Sequence, residues 1–222
     1  NVNTTRITSS ATLSDFSVSS IGRYWPSNLV PEVLDWISAN ITAGTVTNAG
    51  VQIVLSLPSG ASRSPRLNEL RGSFGLSDIS VSYLSPMPPV TGLSGTAGFT
   101  EEGFDLTVHS GGVEDLFLTS AKVGIRPLSG STRLTVDAHG LRGPVATATG
   151  ILAGPPLELL GPGLPQPQHF SGTADTRLVL DLPLSSGDPE PFNVSGSSTL
   201  EGVGVTGWVK GYDLSDGALD LG

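Results

Sequence analysis

The chain has 222 residues, with 11 Lys and Arg residues against 20 Asp and Glu residues, and a net charge of −9 at neutral pH. Proteins that bind nucleic acid need a cationic surface to displace counterions, so this acidic balance argues against a nucleic-acid partner. The sequence contains no Cys, which excludes a disulfide framework and a thiolate metal site, and it has no apolar run of about 18 residues that would predict a transmembrane helix.

The composition favours a β fold. Charged residues make up only 14% of the chain, whereas about 25% is usual in soluble domains. The 29 Gly and 17 Pro residues supply turns, and the many Val, Thr and Ser residues favour strands over helices. We therefore expect a mainly β fold, in which strands that follow one another in the chain pair antiparallel.

One seven-residue pattern occurs twice. Leu13-Ser-Asp-Phe-Ser-Val-Ser19 matches Leu76-Ser-Asp-Ile-Ser-Val-Ser82, and in both copies the apolar alternation changes phase at the Ser-Asp pair. A β-bulge produces such a change of phase. We therefore expect Ser14-Asp15 and Ser77-Asp78 to lie at equivalent bends or bulges, within one elongated sheet extended by similar units.

A single amphipathic helix is predicted near residues 31–41. Pro31 suits the first helical position, and Leu34, Ile37 and Ile41 form one apolar stripe.

Aromatic residues flank the start of this predicted helix. Tyr24 and Trp25 precede it, and Trp36 lies within it. We expect these rings to hold the helix against an edge of the sheet, and the alternative is that they face a lipid or membrane interface.

Several segments show the pattern of strands. Residues 74–76, 104–108, 134–138 and 178–182 alternate between apolar and polar side chains, and residues 51–57 form a more continuous apolar strand. Ser110-Gly-Gly112 and Asp216-Gly217 are typical of turns between strands.

The stretch from residue 150 to 168 is rich in Pro and Gly. We interpret it as a loop between sheet layers, or as a possible internal boundary in what is otherwise a single β-rich segment over residues 1–222. A short helical turn is expected from Pro156 to Leu160.

No motif predicts catalysis. The three His residues (His109, His139 and His169) lack the spacing of metal ligands. The acidic pairs at 101–102 and 114–115 abut glycines, which is typical of exposed turns rather than of a catalytic carboxylate pair. Gly202 to Gly207 matches G-x-G-x-x-G, but strand-like sequence follows it where a dinucleotide site needs a helix. We therefore expect a protein that is not an enzyme and that has no catalytic residue, no metal and no cofactor.

Several segments carry a resemblance to a known family. They are Tyr24-Trp-Pro26, residues 31–36, residues 41–46, residues 83–95, Leu141-Arg-Gly-Pro144 and residues 204–221. Together they resemble the AsmA-like periplasmic proteins of the YhdP and TamB type, and most closely the central region of the YhdP type. The resemblance spans nearly the whole chain, and its motifs are structural rather than catalytic.

The resemblance implies a long β-sheet folded into a groove with an apolar lining. It also implies a periplasmic body anchored in the bacterial inner membrane and a role in phospholipid transport to the outer membrane. The amino-terminal anchor of the family is not visible in this sequence, so membrane contact is expected through other parts of the full-length protein.

The partner expected from the resemblance is the acyl chain of a phospholipid. Alternation places every second residue of a strand on one face, and the candidates for the groove lining are Phe74, Leu76, Phe104, Leu106, Val108, Leu134, Val136, Leu178 and Leu180. Two other classes stay open: a structural or interaction β-repeat protein without a ligand, whose apolar faces are fully packed, and a carbohydrate-active enzyme with aromatic platforms and paired acids.

Overall fold

Strands dominate the structure, as the alternating segments predict. The computed structural model describes residues 4–24, 31–58, 64–83, 85–128, 131–155, 157–158, 160–161, 165–183, 193–209, 212–217 and 220–221. The strands are β1 (Thr4–Leu13), β2 (Phe16–Ser17), β3 (Ile41–Pro58), β4 (Arg66–Val81), β5 (Val90–Thr100), β6 (Phe104–Val113), β7 (Leu116–Arg126), β8 (Arg133–Pro144), β9 (Phe170–Pro183), β10 (Asn193–Val209), β11 (Tyr212–Gly217) and β12 (Asp220–Leu221). The helices are α1 (Ile21–Tyr24), α2 (Pro31–Asn40) and α3 (Val145–Ala153), with 3-10 helices at Val18–Ser20 and Pro167–His169.

The strands form one antiparallel sheet that follows the order of the chain. Its order is β1-β3-β4-β5-β6-β7-β8-β9-β10-β11, with β2 paired to β3 and β12 paired to β10. The five predicted strand segments fall in β3, β4, β6, β8 and β9 and are confirmed. The sheet is open, since β1 and β11 are the two ends of this order. Strands β8 and β9, on either side of residues 150–168, pair directly with each other.

Helix α2 confirms the predicted helix. It begins at Pro31 and passes directly into β3, where the carbonyl oxygen of Asn40 accepts a hydrogen bond from the Ser82 amide at 2.8 Å. Ile37 and Ile41 pack against the hydrophobic core. This apolar stripe therefore attaches the helix to the end of the sheet where β3 begins and β4 ends.

The aromatic residues near α2 lie differently from the prediction. The expected packing of Trp36 against the sheet edge is wrong, because this residue is 49% exposed. Tyr24 does contact Phe16, with ring centroids 5.1 Å apart, and Trp25 lies outside the described residues.

Helix α3 was not predicted, because residues 150–168 were interpreted as a loop and residues 145–149 carry no helix signal. Val145–Ala153 has no acidic residue in its first turn and no side-chain cap, so the usual sequence marks of a helix start are missing. Instead, α3 packs against β8, β9 and the second 3-10 helix. Of the helical turn predicted from Pro156 to Leu160, both Pro156 and Leu159 lie outside the described residues.

Two turn predictions are corrected by the strand pairing. Ser110-Gly-Gly112 lies inside β6, where Gly112 is still opposite Phe117 in the ladder, and the chain reverses at the exposed pair Glu114-Asp115 instead. Asp216-Gly217 ends β11, in which Gly217 is opposite Val203. In both cases the glycine pairs with a neighbouring strand and is part of the ladder rather than of a turn.

A row of backbone irregularities crosses the sheet. It consists of four residues with positive φ, on β3, β4, β5 and β8, where each strand shifts its register against a neighbour. We call this row the bulge line: Gly44 (φ 120), Asp78 (φ 54), Gly92 (φ 61) and Gly140 (φ 64). Bulges bend the strands that contain them and increase their twist.

The repeated Ser-Asp motif interrupts a ladder in both copies. Ser77-Asp78 lies at a bulge in β4, which confirms the prediction for that copy. Ser14-Asp15 separates β1 from β2, but Leu13 pairs with Ala49 and Phe16 with Val46 without a shift of register. The first copy is therefore a break in a strand rather than a bulge.

The bulge line keeps the same face of the sheet apolar on both of its sides. On β4 and β8, the apolar residues that flank the line and face the same side of the sheet are three positions apart in the sequence rather than two. Examples are Leu76 and Ile79 on β4 and Ala138 and Leu141 on β8. The buried core follows the line, and it contains Val18, Val46, Ile79, Leu93, Val108, Ala121 and Ala138.

Candidate functional site

Strand register places all nine predicted groove residues on one face of the sheet. Cross-strand partners share a face, and three ladders of partners run from β4 or β5 to β9. They are Phe74, Ala97, Leu106, Val123, Val136 and Leu180; Leu76, Gly95, Val108, Ala121, Ala138 and Leu178; and Phe99, Phe104, Ile125, Leu134 and Leu182. We call these residues the apolar strip. None of them is charged, and their binding of lipid remains a prediction.

Side chains of the same sheet bury the middle of the apolar strip. Val108, on the central strand β6, is 2% exposed, and the partly buried Leu106, Val123 and Val136 pack in the same cluster. The main contacts of the described helices are with β3, β8 and β9 instead. The central part of the strip is thus buried largely by neighbouring strands.

Several members of the strip were missed in the sequence. Phe99 is the largest of them, and it extends an aromatic group in which the ring of Phe74 lies 6.4 Å from those of Phe99 and Phe104. A side chain at Gly72 would overlap the Phe99 ring, so this glycine leaves room for it. Ala97 and Phe99 are two positions apart, as residues on the same face of a strand are, and this spacing was the signal in the sequence that could have identified Phe99.

Charged residues lie on the opposite face. Arg177 makes two hydrogen bonds of 3.1 Å to Asp137, and the same carboxylate lies 3.0 Å from Nε2 of His139. The Arg177 guanidinium lowers the pKa of Asp137 below its ordinary value, and Asp137 in turn raises the pKa of Arg177. Three further cross-strand ion pairs join Arg126 to Asp105, Arg133 to Asp181, and Arg142 to Asp175.

A shallow cavity of about 370 Å³ opens among these ion pairs. It is lined by Asp105, Lys122, Val123, Gly124, Thr135, Val136, Asp137, Val179, Leu180 and Asp181. Each of its three carboxylates already has an arginine partner, which leaves Lys122 as its one cation without a described ion pair. Most of the lining residues face the charged side of the sheet, and three residues of the apolar strip, Val123, Val136 and Leu180, also contribute to the lining.

The other motifs weighed in the sequence lie apart. Among the described residues, no group of three or more His, Asp or Glu side chains is placed to hold a metal ion. The acidic pairs at 101–102 and 114–115 lie in exposed turns, as expected. Gly202 to Gly207 lies inside β10 rather than between a strand and a helix. In the described part of the chain, no helix has the length and apolarity needed to cross a membrane.

Comparison with known proteins bears on the family. A family model described as "YhdP protein" matches residues 3–206, which is most of the chain. No curated protein and no solved structure matches it. The match includes the segments at residues 24–26, 31–36, 41–46, 83–95 and 141–144 that carry the resemblance, and it agrees with the mainly β, antiparallel fold. We conclude that the chain belongs to the YhdP family.

Proposed function

We propose that this chain is a lipid-handling segment of a bacterial envelope protein, and that its apolar strip holds the acyl chains of phospholipids in transit between the inner and outer membranes. The observation that carries this proposal is the continuity of the strip: three adjacent ladders without a charged residue run from β4 or β5 to β9. Membership of the YhdP family supports it.

The bulge line supports a groove along the strip. Bulges at the same level of neighbouring strands bend the sheet along one line. The apolar face is on the inside of this bend, since Val108 and Ala121 are buried while His109 and Ser120, on the other face, are exposed. The groove would then run across the strands, with the second ladder at its base.

The dimensions of the strip suit an acyl chain. Neighbouring strands are about 4.8 Å apart, so β4 to β9 span roughly 24 Å. One acyl chain covers about half of a bilayer core of about 30 Å. Transfer of each methylene from water gains about 0.8 kcal/mol, or roughly 12 kcal/mol for a chain of about 16 carbons. A continuous apolar surface is therefore sufficient for binding, and no catalytic group is required.

The proposed location is the periplasm. The chain would be part of a protein anchored in the inner membrane through segments outside residues 1–222, and it would act without catalysis and without a cofactor. The acidic composition, with a net charge of −9, fits a segment that receives uncharged acyl chains better than one that docks on anionic head groups.

Photocrosslinking in cells tests this function. A photoreactive amino acid at Leu106 or Val136, on the strip, should give phospholipid adducts after irradiation and extraction. The matched controls are Thr107 and Thr135, which are the adjacent residues on the same two strands and face the opposite side.

The alternative is a structural β-repeat segment without a ligand. It predicts no adducts from either face. Adducts formed equally from Thr107 and Leu106 would also contradict the proposal, because they would show unspecific contact with lipid rather than a lined strip.

A further inference from the structure

The two ends of the apolar strip differ in burial. Beyond β4, the second ladder continues through Val46 of β3 to Phe16 of β2, and the chain then enters the 3-10 helix that begins at Val18. Val18 is 4% exposed and Val46 is 5% exposed. The β3 end of the strip is therefore filled by the protein itself.

Among the described residues, the opposite end of the strip is more exposed. Leu178 of β9 is only partly buried, and its partner on β10 is the exposed Gly196. In the neighbouring ladder, Leu180 is opposite Val194, which is 43% exposed. A ligand that lies along the strip can thus extend toward β10 but meets packed side chains at β3.

We propose that Val18 is the end wall of the strip and limits the length of the acyl chain that it accepts. This inference rests on the proposed function and adds a specificity-determining residue to it. Val18 belongs to the same buried cluster as Val46, Ile79 and Val108, and its 3-10 helix packs against β3. Its side chain therefore occupies the place that further methylenes of a longer chain would take.

The segment that carries Val18 is attached to the sheet through a pairing of only two residues. Strand β2 pairs with β3 only through Phe16 and Ser17, while β1, on the other side of the break at Ser14-Asp15, is exposed along its whole length. Burial of Val18 and the tilted ring contact of Phe16 with Tyr24 add to this pairing. Shortening the side chain of Val18 should thus lengthen the strip without disturbing the main sheet.

Binding of a series of saturated fatty acids with 12 to 20 carbons tests the end wall. Each methylene that enters the strip should tighten binding about fourfold, which corresponds to about 0.8 kcal/mol. In the unmodified chain this gain stops at the length at which the alkyl chain reaches Val18. In Val18→Ala the gain should continue to longer fatty acids, and in Val18→Trp it should stop at shorter ones.

Val54→Ala is the matched control. Val54 is also a valine and is 2% exposed, but it pairs with Thr8 and Glu69 on the charged face of β3. It should leave the length at which affinity levels off unchanged. Circular dichroism and a urea titration of each variant establish that the sheet remains folded.

The results distinguish a failure of the end-wall proposal from a failure of the proposed function. If Val18→Ala folds, binds fatty acids and levels off at the same length as the unmodified chain, Val18 is not the end wall, although the strip still binds acyl chains. If the unmodified chain binds no fatty acid of any length, the proposed function itself is wrong and the end wall is rejected with it.

Discussion

At the residue scale, the charged face has an arrangement that the sequence did not indicate. Asp137, Arg177 and His139 come from β8 and β9, and only strand pairing brings Arg177 beside the other two. Period-2 alternation predicts which side chains share a face of one strand, but it does not give the register between strands. Nine of the strip residues could therefore be named from the sequence, whereas the ion pairs on the opposite face could not.

The Asp137 carboxylate predicts a dependence of stability on pH. Arg177 lowers the pKa of Asp137 in the folded chain, so the ion pair stabilises the fold above the ordinary pKa of an Asp, about 4, and this contribution is lost as the pH falls through the lowered pKa. The unmodified chain should lose more stability between pH 6 and pH 3 than Asp137→Asn does.

Urea unfolding, followed by circular dichroism at each pH, measures this difference. Asp115→Asn, in the exposed turn between β6 and β7, is the control and should follow the unmodified chain. The same loss of stability in Asp137→Asn as in the unmodified chain would show that the ion pair does not contribute.

At the scale of the strand, the bulge line determines which residues face the strip. Gly140 and Gly92 both have positive φ, of 64° and 61°, a conformation that costs other L-residues about 1–2 kcal/mol. A side chain at Gly92 meets open space, whereas one at Gly140 overlaps Thr119. The hydroxyl of Thr119 is also fixed, since it donates a hydrogen bond to the His139 carbonyl oxygen at 2.9 Å.

These two glycines therefore predict a graded loss of stability. Gly92→Ala should lower the free energy of unfolding by about 1–2 kcal/mol, and Gly140→Ala should lower it by roughly 1–3 kcal/mol more because of the overlap with Thr119. Adding Thr119→Ala to Gly140→Ala should recover part of that difference. Equal losses for the two single variants in urea titrations would contradict the packing at Gly140.

The strands and α2 could be predicted because their signals are local. Alternation marks β4, β6, β8 and β9, a continuous apolar run marks β3, and the apolar stripe marks α2. Helix α3 has no side-chain cap and packs against β8 and β9. Ser110-Gly-Gly112 continues the ladder between β6 and β7. Contacts with other strands determine the structure of both segments, and a single sequence does not show which strands lie next to each other.

The repeated Ser-Asp motif shows the same limit within one element. Both copies change the phase of the apolar residues, and this much could be predicted. Only Ser77-Asp78 coincides with a shift of register. This copy lies inside β4, which pairs with β3 on one side and β5 on the other, whereas the first copy follows the end of β1, which pairs with β3 alone.

At the scale of the whole molecule, the chain exposes more surface than a compact protein of its mass. Its accessible surface is 14027 Å², whereas the surface of a compact monomer of 22.7 kDa is roughly 9,500 Å². An open sheet explains this excess, since much of its apolar face is covered only by its own neighbouring strands. This larger surface reduces the area that folding buries.

This surface predicts a low sensitivity of stability to urea. The m-value scales with the surface exposed on unfolding, and the excess surface of the folded chain reduces that quantity to about four fifths of the value for a compact protein of equal length. The urea m-value should therefore be lower by about a fifth than that of a compact β protein of similar length measured alongside it. Because a fatty acid that occupies the strip binds only the folded chain, saturating it should also raise the unfolding midpoint. An m-value equal to that of the compact protein, together with an unchanged midpoint, would show that the apolar strip is sealed inside a closed core.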